Sequence, residues 1–324
     1  MIIVHELSKT YEYYEKKLGI KGSVKNIISR KKLLKSAVKS LTFDIENGEF
    51  VAFLGPNGSG KTTTMKMLSG ILYPSSGAAT VMGYVPWERK KAFKLGFSIV
   101  MGQKSQLWTD LPANEVFFFN KCIYEINDKA YSDTLNELTE LLDVRHLLEI
   151  QVRRLSLGER MKMELIAALL HKPAVLLLDE PSIGLDLVSQ VKIQEFLKYY
   201  NETNKTTILL TSHNIKDIET TCKRAIAIND GSLIYDGELS RINSINEELK
   251  IVRIKAASIV SEDLYSRYEN SRVINDYSFE FRVPKNGVKT AIDNIMKLID
   301  VEDLNIEDIP LEEGIKKLYD EKRY

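Results

Sequence analysis

The sequence has few cysteines, no excess of charge of either sign and no long apolar run. Its two cysteines, Cys122 and Cys222, lie far apart without the spacing of metal ligands, which indicates a reducing compartment and ordinary thiols. Lysine plus arginine and aspartate plus glutamate both number 45, so no overall positive field favours a nucleic-acid partner. The longest apolar runs, such as residues 174–178, are too short to span a bilayer, and the start lacks the pattern of a secretory signal. If this protein serves a membrane, we expect another chain to span it.

A glycine-rich loop lies between an apolar, strand-like run at 50–54 and a helix-compatible stretch at 63–68. Its residues, with the threonine that follows, are Gly55, Pro56, Asn57, Gly58, Ser59, Gly60, Lys61, Thr62 and Thr63. Such a loop leaves N–H groups free to surround phosphate oxygens, and the following helix presents its positive end to the same anion. Lys61 supplies a mobile charge for the β- and γ-phosphates, and Thr62 supplies a hydroxyl for Mg²⁺. The loop predicts a nucleoside triphosphate site.

A second motif consists of five apolar residues followed directly by Asp179, Glu180 and Pro181. This is the pattern of a buried central strand that ends in two carboxylates. Ends of such strands face the ligand crevice, where Asp179 can orient Mg²⁺ and Glu180 can polarise the water that attacks the γ-phosphate. The alternative is that both carboxylates only cap the following turn, but the phosphate loop upstream favours the catalytic interpretation.

Further fragments resemble the motifs of ATP-binding cassette (ABC) ATPases. Residues 155–160 (Leu-Ser-Leu-Gly-Glu-Arg) resemble the signature motif, and residues 182–186 resemble the D-loop. Gln103 resembles the glutamine of the glutamine loop, and His213, after a strand-like run, resembles the switch histidine. The resemblance covers roughly residues 1–240 and is strongest to the exporter branch in which a single cassette and its permease are separate chains.

The resemblance implies a role for each matched residue. Thr62, Gln103 and Asp179 would hold or order Mg²⁺, Glu180 would be the general base, and His213 would contact the γ-phosphate. Ser156 and the Gly158 amide would bind the γ-phosphate of a nucleotide held by a second copy, so that two ATP molecules join a homodimer. Asp186 of the D-loop is placed with the nucleotide-binding residues, and Tyr11 would stack on adenine.

These assignments have plain structural alternatives. A lone histidine after a strand is more often a capping or surface residue, but the order of His213 behind Asp179 and Glu180 favours the catalytic role. Gln106 lies close enough to Gln103 to confuse the register of the glutamine loop.

Ser156 followed three residues later by Glu159 is also a capping box, and both roles are compatible. Tyr11 has Tyr13 and Tyr14 as neighbours and is equally well explained by packing.

The signature departs from the commonest form at two positions. Leu157 stands where glycine is usual, and Glu159 stands where glutamine is usual. Glu159 would place an anion near bound phosphate, which Arg160 and Lys162 are placed to neutralise.

The chain divides into a cassette at residues 1–240 and a small α+β domain at 241–324. Within the cassette, residues 12–36 form a basic insertion with imperfect helical spacing that includes Leu33 and Leu34, suited either to anionic lipid headgroups or to solvent. Residues from about 104 to 165 form the helical subdomain, where Trp108 and Leu107 are candidates for a partner groove and Phe117–Phe119 are expected in the core. After 240, strand patterns at 249–254 and 278–283 alternate with helical patterns at 288–299 and 311–319.

The predicted fold class is α/β: a P-loop NTPase of the ABC cassette type, with a mixed sheet, a helical subdomain and a small α+β C-terminal domain. The predicted function is ATP hydrolysis that powers a separate integral membrane permease, with ATP and Mg²⁺ as cofactors and no nucleic acid. Resemblance to the exporter branch implies export from the cytoplasmic face of the cell membrane. The alternative is a soluble ABC ATPase of DNA repair or translation, which the lack of coiled coils, zinc cysteines and a second cassette disfavours.

Overall fold

The computed structural model describes residues 1–14, 32–102, 105–212, 214–246, 249–268 and 270–320. These residues form two compact units, Met1–Gly237 and Glu238–Tyr324. Gln103, His213 and residues 15–31 of the basic insertion lie outside the described residues.

The elements of the first unit follow one another in an order of strands interrupted by helices. They are β1 (Ile2–Tyr14), β2 (Lys32–Ile45), β3 (Phe50–Leu54), α1 (Lys61–Leu68), β4 (Ser76–Val81), α2 (Lys91–Leu95), β5 (Phe97–Met101), α3 (Ala113–Ile123), α4 (Asp128–Leu141), α5 (Leu157–Leu169), β6 (Val175–Asp179), α6 (Leu187–Asn204), β7 (Thr207–Thr211), α7 (Ile215–Thr221), β8 (Arg224–Asn229) and β9 (Ser232–Glu238). Short 3-10 helices lie at Pro86–Glu88, Arg145–Leu147 and Val152–Arg154.

The predicted nucleotide site lies on a six-stranded sheet with the order β5-β6-β7-β3-β8-β9. Its strands β5, β6, β7, β3 and β8 pair in parallel, and β3 and β7 are buried along their whole length, as expected for strands covered on both faces. An antiparallel sheet, β2-β1-β4, shares its core with this sheet and α1. Phe43 of β2 and Phe53 of β3 meet in that core with ring centroids 5.9 Å apart.

The basic insertion is flanked by strands. Tyr11 pairs with Lys35 and Tyr14 pairs with Lys32, so β1 and β2 extend the hairpin up to the limits of residues 15–31. The predicted helical spacing was therefore wrong for Leu33 and Leu34, which lie in β2 and alternate in exposure as strand residues do.

The second unit contains the predicted α+β elements. They are a 3-10 helix (Leu239–Asn246), β10 (Leu249–Ala256), α8 (Glu262–Tyr265), β11 (Arg272–Asn275), β12 (Ser278–Pro284), a 3-10 turn (Lys285–Gly287), α9 (Val288–Met296), β13 (Val301–Asp308) and α10 (Leu311–Asp320). The strands form one antiparallel sheet of order β11-β12-β10-β13. One face of this sheet packs against α9 around Phe279, Phe281 and Ile295, which are fully buried.

Candidate functional site

The glycine-rich loop joins the carboxyl end of β3 to α1, as the sequence predicts. Gly58 and Gly60 have φ of 81° and 108°, a region that disfavours side chains. A Cβ at Gly60 would also lie 2.5 Å from the Ala37 carbonyl oxygen, whereas no atom of the described residues lies within 4 Å of a Cβ at Gly58. The loop backbone is thus fixed against β2 on one side and accessible on the other, which suits a cradle for phosphate.

Lys61 begins α1 and is only 6% exposed. Its Nζ donates to the carbonyl oxygens of Gly55 at 2.6 Å and Pro56 at 3.2 Å, within its own loop. Burial lowers the pKa of the Lys61 ammonium, and the nearby charges of Glu180 and Asp179 act in the opposite direction. The loop therefore holds a poorly solvated cation whose carbonyl partners an anion can replace.

Asp179 connects the loop to the neighbouring strands. Its carboxylate accepts a hydrogen bond from the Thr62 hydroxyl at 3.0 Å and another from the Thr211 hydroxyl at 2.7 Å. Thr211 is fully buried at the end of β7, directly opposite Asp179 in the parallel register. Thr211 belongs to no sequence motif; its only signal in the sequence is its place at the end of an apolar strand, two residues before His213.

Glu180 lies in a left-handed backbone conformation, with φ of 55°. Its N–H donates to the Thr211 hydroxyl at 3.0 Å, and a Cβ at Gly102 would lie 2.1 Å from its carbonyl oxygen. The left-handed conformation is strained for a residue with a side chain, and it persists only where neighbouring residues fix the backbone. The turn after β6 is thus set by Thr211 and Gly102, and Gly102 directly precedes Gln103.

A cavity of about 330 Å³ lies over the loop. Its lining comprises Tyr11, Lys35, Ala37, Asn57, Gly58, Gly60, Lys61, Thr62, Thr63 and Glu180. Most of these are predicted site residues, but Lys35 and Ala37 of β2 were missed because they become neighbours of the loop only through the hairpin. Four predicted residues of the loop and of the end of β6 do not line the cavity: Gly55, Pro56, Ser59 and Asp179.

The signature residues lie elsewhere on the protomer, at the start of α5. The capping box is present: the Ser156 side chain accepts from the Glu159 N–H, and the Glu159 carboxylate accepts from the Ser156 N–H. A Cβ at Gly158 would lie 2.6 Å from the Ser189 hydroxyl, so the starts of α5 and α6 are in close contact. Asp186 caps α6, accepting from the Ser189 N–H at 2.9 Å. None of these residues lines the cavity over the loop.

Comparison with known proteins identifies the family. The chain matches the ABC transporter family over residues 38–183 and the C-terminal domain of EvrA-like ABC transporters over residues 248–307. It is 32% identical to the ABC transporter ATP-binding protein NatA of Bacillus subtilis over 213 residues, which cover 66% of this chain and 86% of NatA. The chain belongs to the ABC transporter ATP-binding proteins. It is an ABC ATPase of the single-cassette type, as the motifs predict.

One further relative and two solved structures of ABC proteins are also similar to this chain. The linearmycin resistance ATP-binding protein LnrL of Bacillus subtilis is 34% identical over 203 residues, and the match covers 63% of this chain and 65% of LnrL. An ATP-binding subunit of an ABC transporter has a TM-score of 0.62 at 22% identity, covering 76% of this chain and 92% of the other. A dimeric cassette in a post-hydrolysis state with ADP and phosphate has a TM-score of 0.61 at 23% identity, covering 74% and 98%. The two structures confirm the predicted cassette fold.

The helical subdomain of this ABC ATPase carries an apolar groove of about 450 Å³. It is lined by Trp108, Leu111, Asn114, Glu115, Phe118, Phe119 and Cys122. Trp108 is 52% exposed and packs on Phe119 with ring centroids 4.7 Å apart, whereas Leu107 is buried. The prediction of a core position was right for Phe117, which is fully buried, and wrong for Phe118 and Phe119, which are 56% and 43% exposed.

No helix in the described part of this ABC ATPase is both long enough and apolar enough to cross a bilayer.

Proposed function

We propose that this protein powers export by a separate permease through ATP-driven dimerisation at the cytoplasmic face of the membrane. The observation that supports this is the separation of the two halves of the nucleotide site. The loop, Lys61 and Glu180 surround one cavity, while Ser156 and Gly158 begin a helix outside that cavity. A helix N-terminus with a serine cap suits a phosphate, so a second copy would complete each site.

The residues beside the loop fit a magnesium ion bound with the nucleotide. The Thr62 hydroxyl and the Asp179 carboxylate already lie within 3.0 Å of each other, and both are hard oxygen donors of the kind that Mg²⁺ prefers. When bound, the ion supplies neutralisation of the phosphate charges. Thr211 would hold the Asp179 carboxylate in place, because its hydroxyl donates to the other carboxylate oxygen.

Hydrolysis would proceed by attack of water on the γ-phosphate. Glu180 would accept the proton of the water as the new O–P bond forms and the bond to the β-phosphate oxygen breaks, which gives ADP and phosphate. Lys61 would stabilise charge on the transferred group. Gln103 near the attacking water and His213 at the γ-phosphate remain predictions from the motifs. Formation of a dimer by the Glu180→Gln protein with Mg²⁺ and ATP, but not with ADP, tests the ATP-bridged state.

The apolar groove is the proposed docking site of the permease, and Cys122 provides a test. Cys122 is exposed in the groove, whereas Cys222 is buried and desolvation raises the pKa of its thiol to about 12. At neutral pH, a maleimide is therefore expected to modify Cys122 and not Cys222 in the folded protein. When the protein is held in its complex purified from membranes, we expect labelling of Cys122 to slow by at least about tenfold, as measured by mass spectrometry.

The labelling control is Lys198→Cys in a Cys122→Ser background. Position 198 is exposed on α6 and is not among the groove residues, so its labelling should be equal with and without the permease. Unchanged labelling of Cys122 in the complex would place the permease elsewhere.

Export is supported by relatives whose names describe resistance and multidrug transport. Inside-out membrane vesicles that contain this protein and its permease are expected to accumulate fluorescent amphipathic drugs when ATP is added outside, because the cassettes then face the medium. Right-side-out vesicles should not respond, and vesicles with Glu180→Gln serve as the inactive control. ATP-dependent loss of preloaded drug from inside-out vesicles would instead indicate import.

A further inference from the structure

The signature serine is already bound to an anion of its own chain. The Ser156 hydroxyl donates to Glu159 Oε2 at 2.8 Å, and the Ser156 N–H donates to the same oxygen at 2.8 Å. A serine hydroxyl carries one hydrogen, so it cannot donate to Glu159 and to a phosphate at once. The Glu159 carboxylate therefore occupies two of the donors at the start of α5, where the proposed dimer needs a phosphate.

The groups around the Glu159 carboxylate stabilise its ionised form. The hydrogen bonds from Ser156, first from its N–H and then from its hydroxyl, lower the pKa of Glu159, and His146 and Lys162 contribute smaller attractions. The carboxylate therefore stays ionised at neutral pH.

One neighbouring cation, Lys162, is buried, and a second carboxylate lies near the helix start. Lys162 is 8% exposed, and its Nζ donates to the Leu142 carbonyl oxygen at 2.9 Å, so it is directed inward. A Cβ built on Gly158 would lie 3.8 Å from Asp186 Oδ2, which places a second carboxylate beside the helix start. Lys162 thus attracts the Glu159 carboxylate, as predicted, while its Nζ donates to the Leu142 carbonyl oxygen; neutralisation by Arg160 stays a prediction.

We infer that Glu159 is an internal competitor of the γ-phosphate for Ser156, and that it raises the ATP concentration needed for dimerisation. This inference rests on the proposed ATP-bridged dimer. In the separate protomer the carboxylate satisfies the donors of Ser156. In the dimer it must release the hydroxyl and lie next to a polyanion, and both changes disfavour the ATP-bound state. Glu159 acts through Ser156 and is a positioning residue.

The substitution Glu159→Gln separates this role from simple helix capping. Glutamine serves the capping box as glutamate does, so helix α5 and the thermal midpoint should be retained. Only the negative charge is removed. Glu140→Gln is the matched control, since Glu140 is an exposed carboxylate on α4 of the same subdomain.

The test measures the ATP concentration at half-maximal dimerisation by light scattering, in the hydrolysis-deficient Glu180→Gln background with Mg²⁺. Adding E159Q should lower this concentration by about tenfold, since a charge-assisted bond is replaced by a neutral one and a repulsion is removed. Adding E140Q should leave it unchanged. In the background with Glu180 intact, E159Q should lower KM for ATP more than it changes kcat.

The outcomes separate the inference from the function on which it rests. If E180Q and E159Q/E180Q dimerise at the same ATP concentration, Glu159 does not compete with phosphate and only the inference is overturned. If neither dimerises at saturating ATP, the proposed ATP-bridged dimer is itself wrong and the inference falls with it.

Discussion

Glu180→Gln is expected to lower kcat for ATP hydrolysis by about 10²- to 10⁴-fold, the range for the loss of a general base. ATP binding should remain intact, because glutamine keeps the size of the side chain and Lys61, Thr62 and Asp179 are unchanged. The turn that positions residue 180 depends on backbone contacts with Thr211 and Gly102, which the substitution leaves in place. Steady-state release of phosphate and a nucleotide titration measure the two quantities separately.

The same variant should accumulate the ATP-bridged dimer, since hydrolysis is the step that releases it. With Mg²⁺ and ATP, light scattering should give twice the 37.0 kDa mass of the monomer, and with ADP the mass of the monomer alone. Glu195→Gln, which removes an exposed carboxylate on α6, should keep the parent turnover and is the control. Equal hydrolysis by E180Q and parent would exclude Glu180 as the base, and a strictly monomeric E180Q would exclude the dimer.

Lys61→Ala should weaken ATP binding by about 10- to 100-fold, the effect of losing hydrogen bonds between a charged donor and the phosphates. Lys61 Nζ donates to two carbonyl oxygens of its own loop, so the ammonium must exchange these partners to bind phosphate oxygens. The substitution also removes a poorly solvated charge, so we expect no large loss of folding stability from it. Titration with a fluorescent ATP analogue measures the affinity.

Lys66→Ala is the control for this experiment, because Lys66 lies in the last turn of the same helix. It removes the same type of charge and leaves the start of α1 unaltered. The Lys61→Ala protein should therefore bind ATP more weakly than the Lys66→Ala protein, by most of the expected loss of affinity of about 10- to 100-fold. Similar affinities for both would mean that Lys61 does not contact the phosphates.

The sequence predicted the structural features that depend on neighbouring residues along the chain. The loop between β3 and α1, the strand that ends at Asp179 and the capping box of Ser156 and Glu159 are all visible as short motifs. Their formation needs only local backbone preferences and burial of an apolar strand. The order of the motifs also identified the family.

The predictions from sequence were wrong or incomplete for residues whose exposure depends on the rotation of a helix or on the pairing of strands. Three consecutive phenylalanines on one helix cannot all face its buried side, because successive residues are turned by about 100°. Phe117 is therefore buried while Phe118 and Phe119 line the groove. Lys35 joins the nucleotide cavity because the register of β1 and β2 places it opposite Tyr11.

The amino-acid sequence by itself determined the phosphate loop, the two carboxylates at the end of β6 and the membership of the ABC ATPases, since each is visible in contiguous motifs. Only the tertiary structure decided that Thr211 holds Asp179 and that Lys162 is directed inward. These contacts depend on the parallel register of β6 and β7 and on which acceptor the buried Lys162 amine reaches. Such properties arise when distant segments pack together, and no short stretch of sequence contains them.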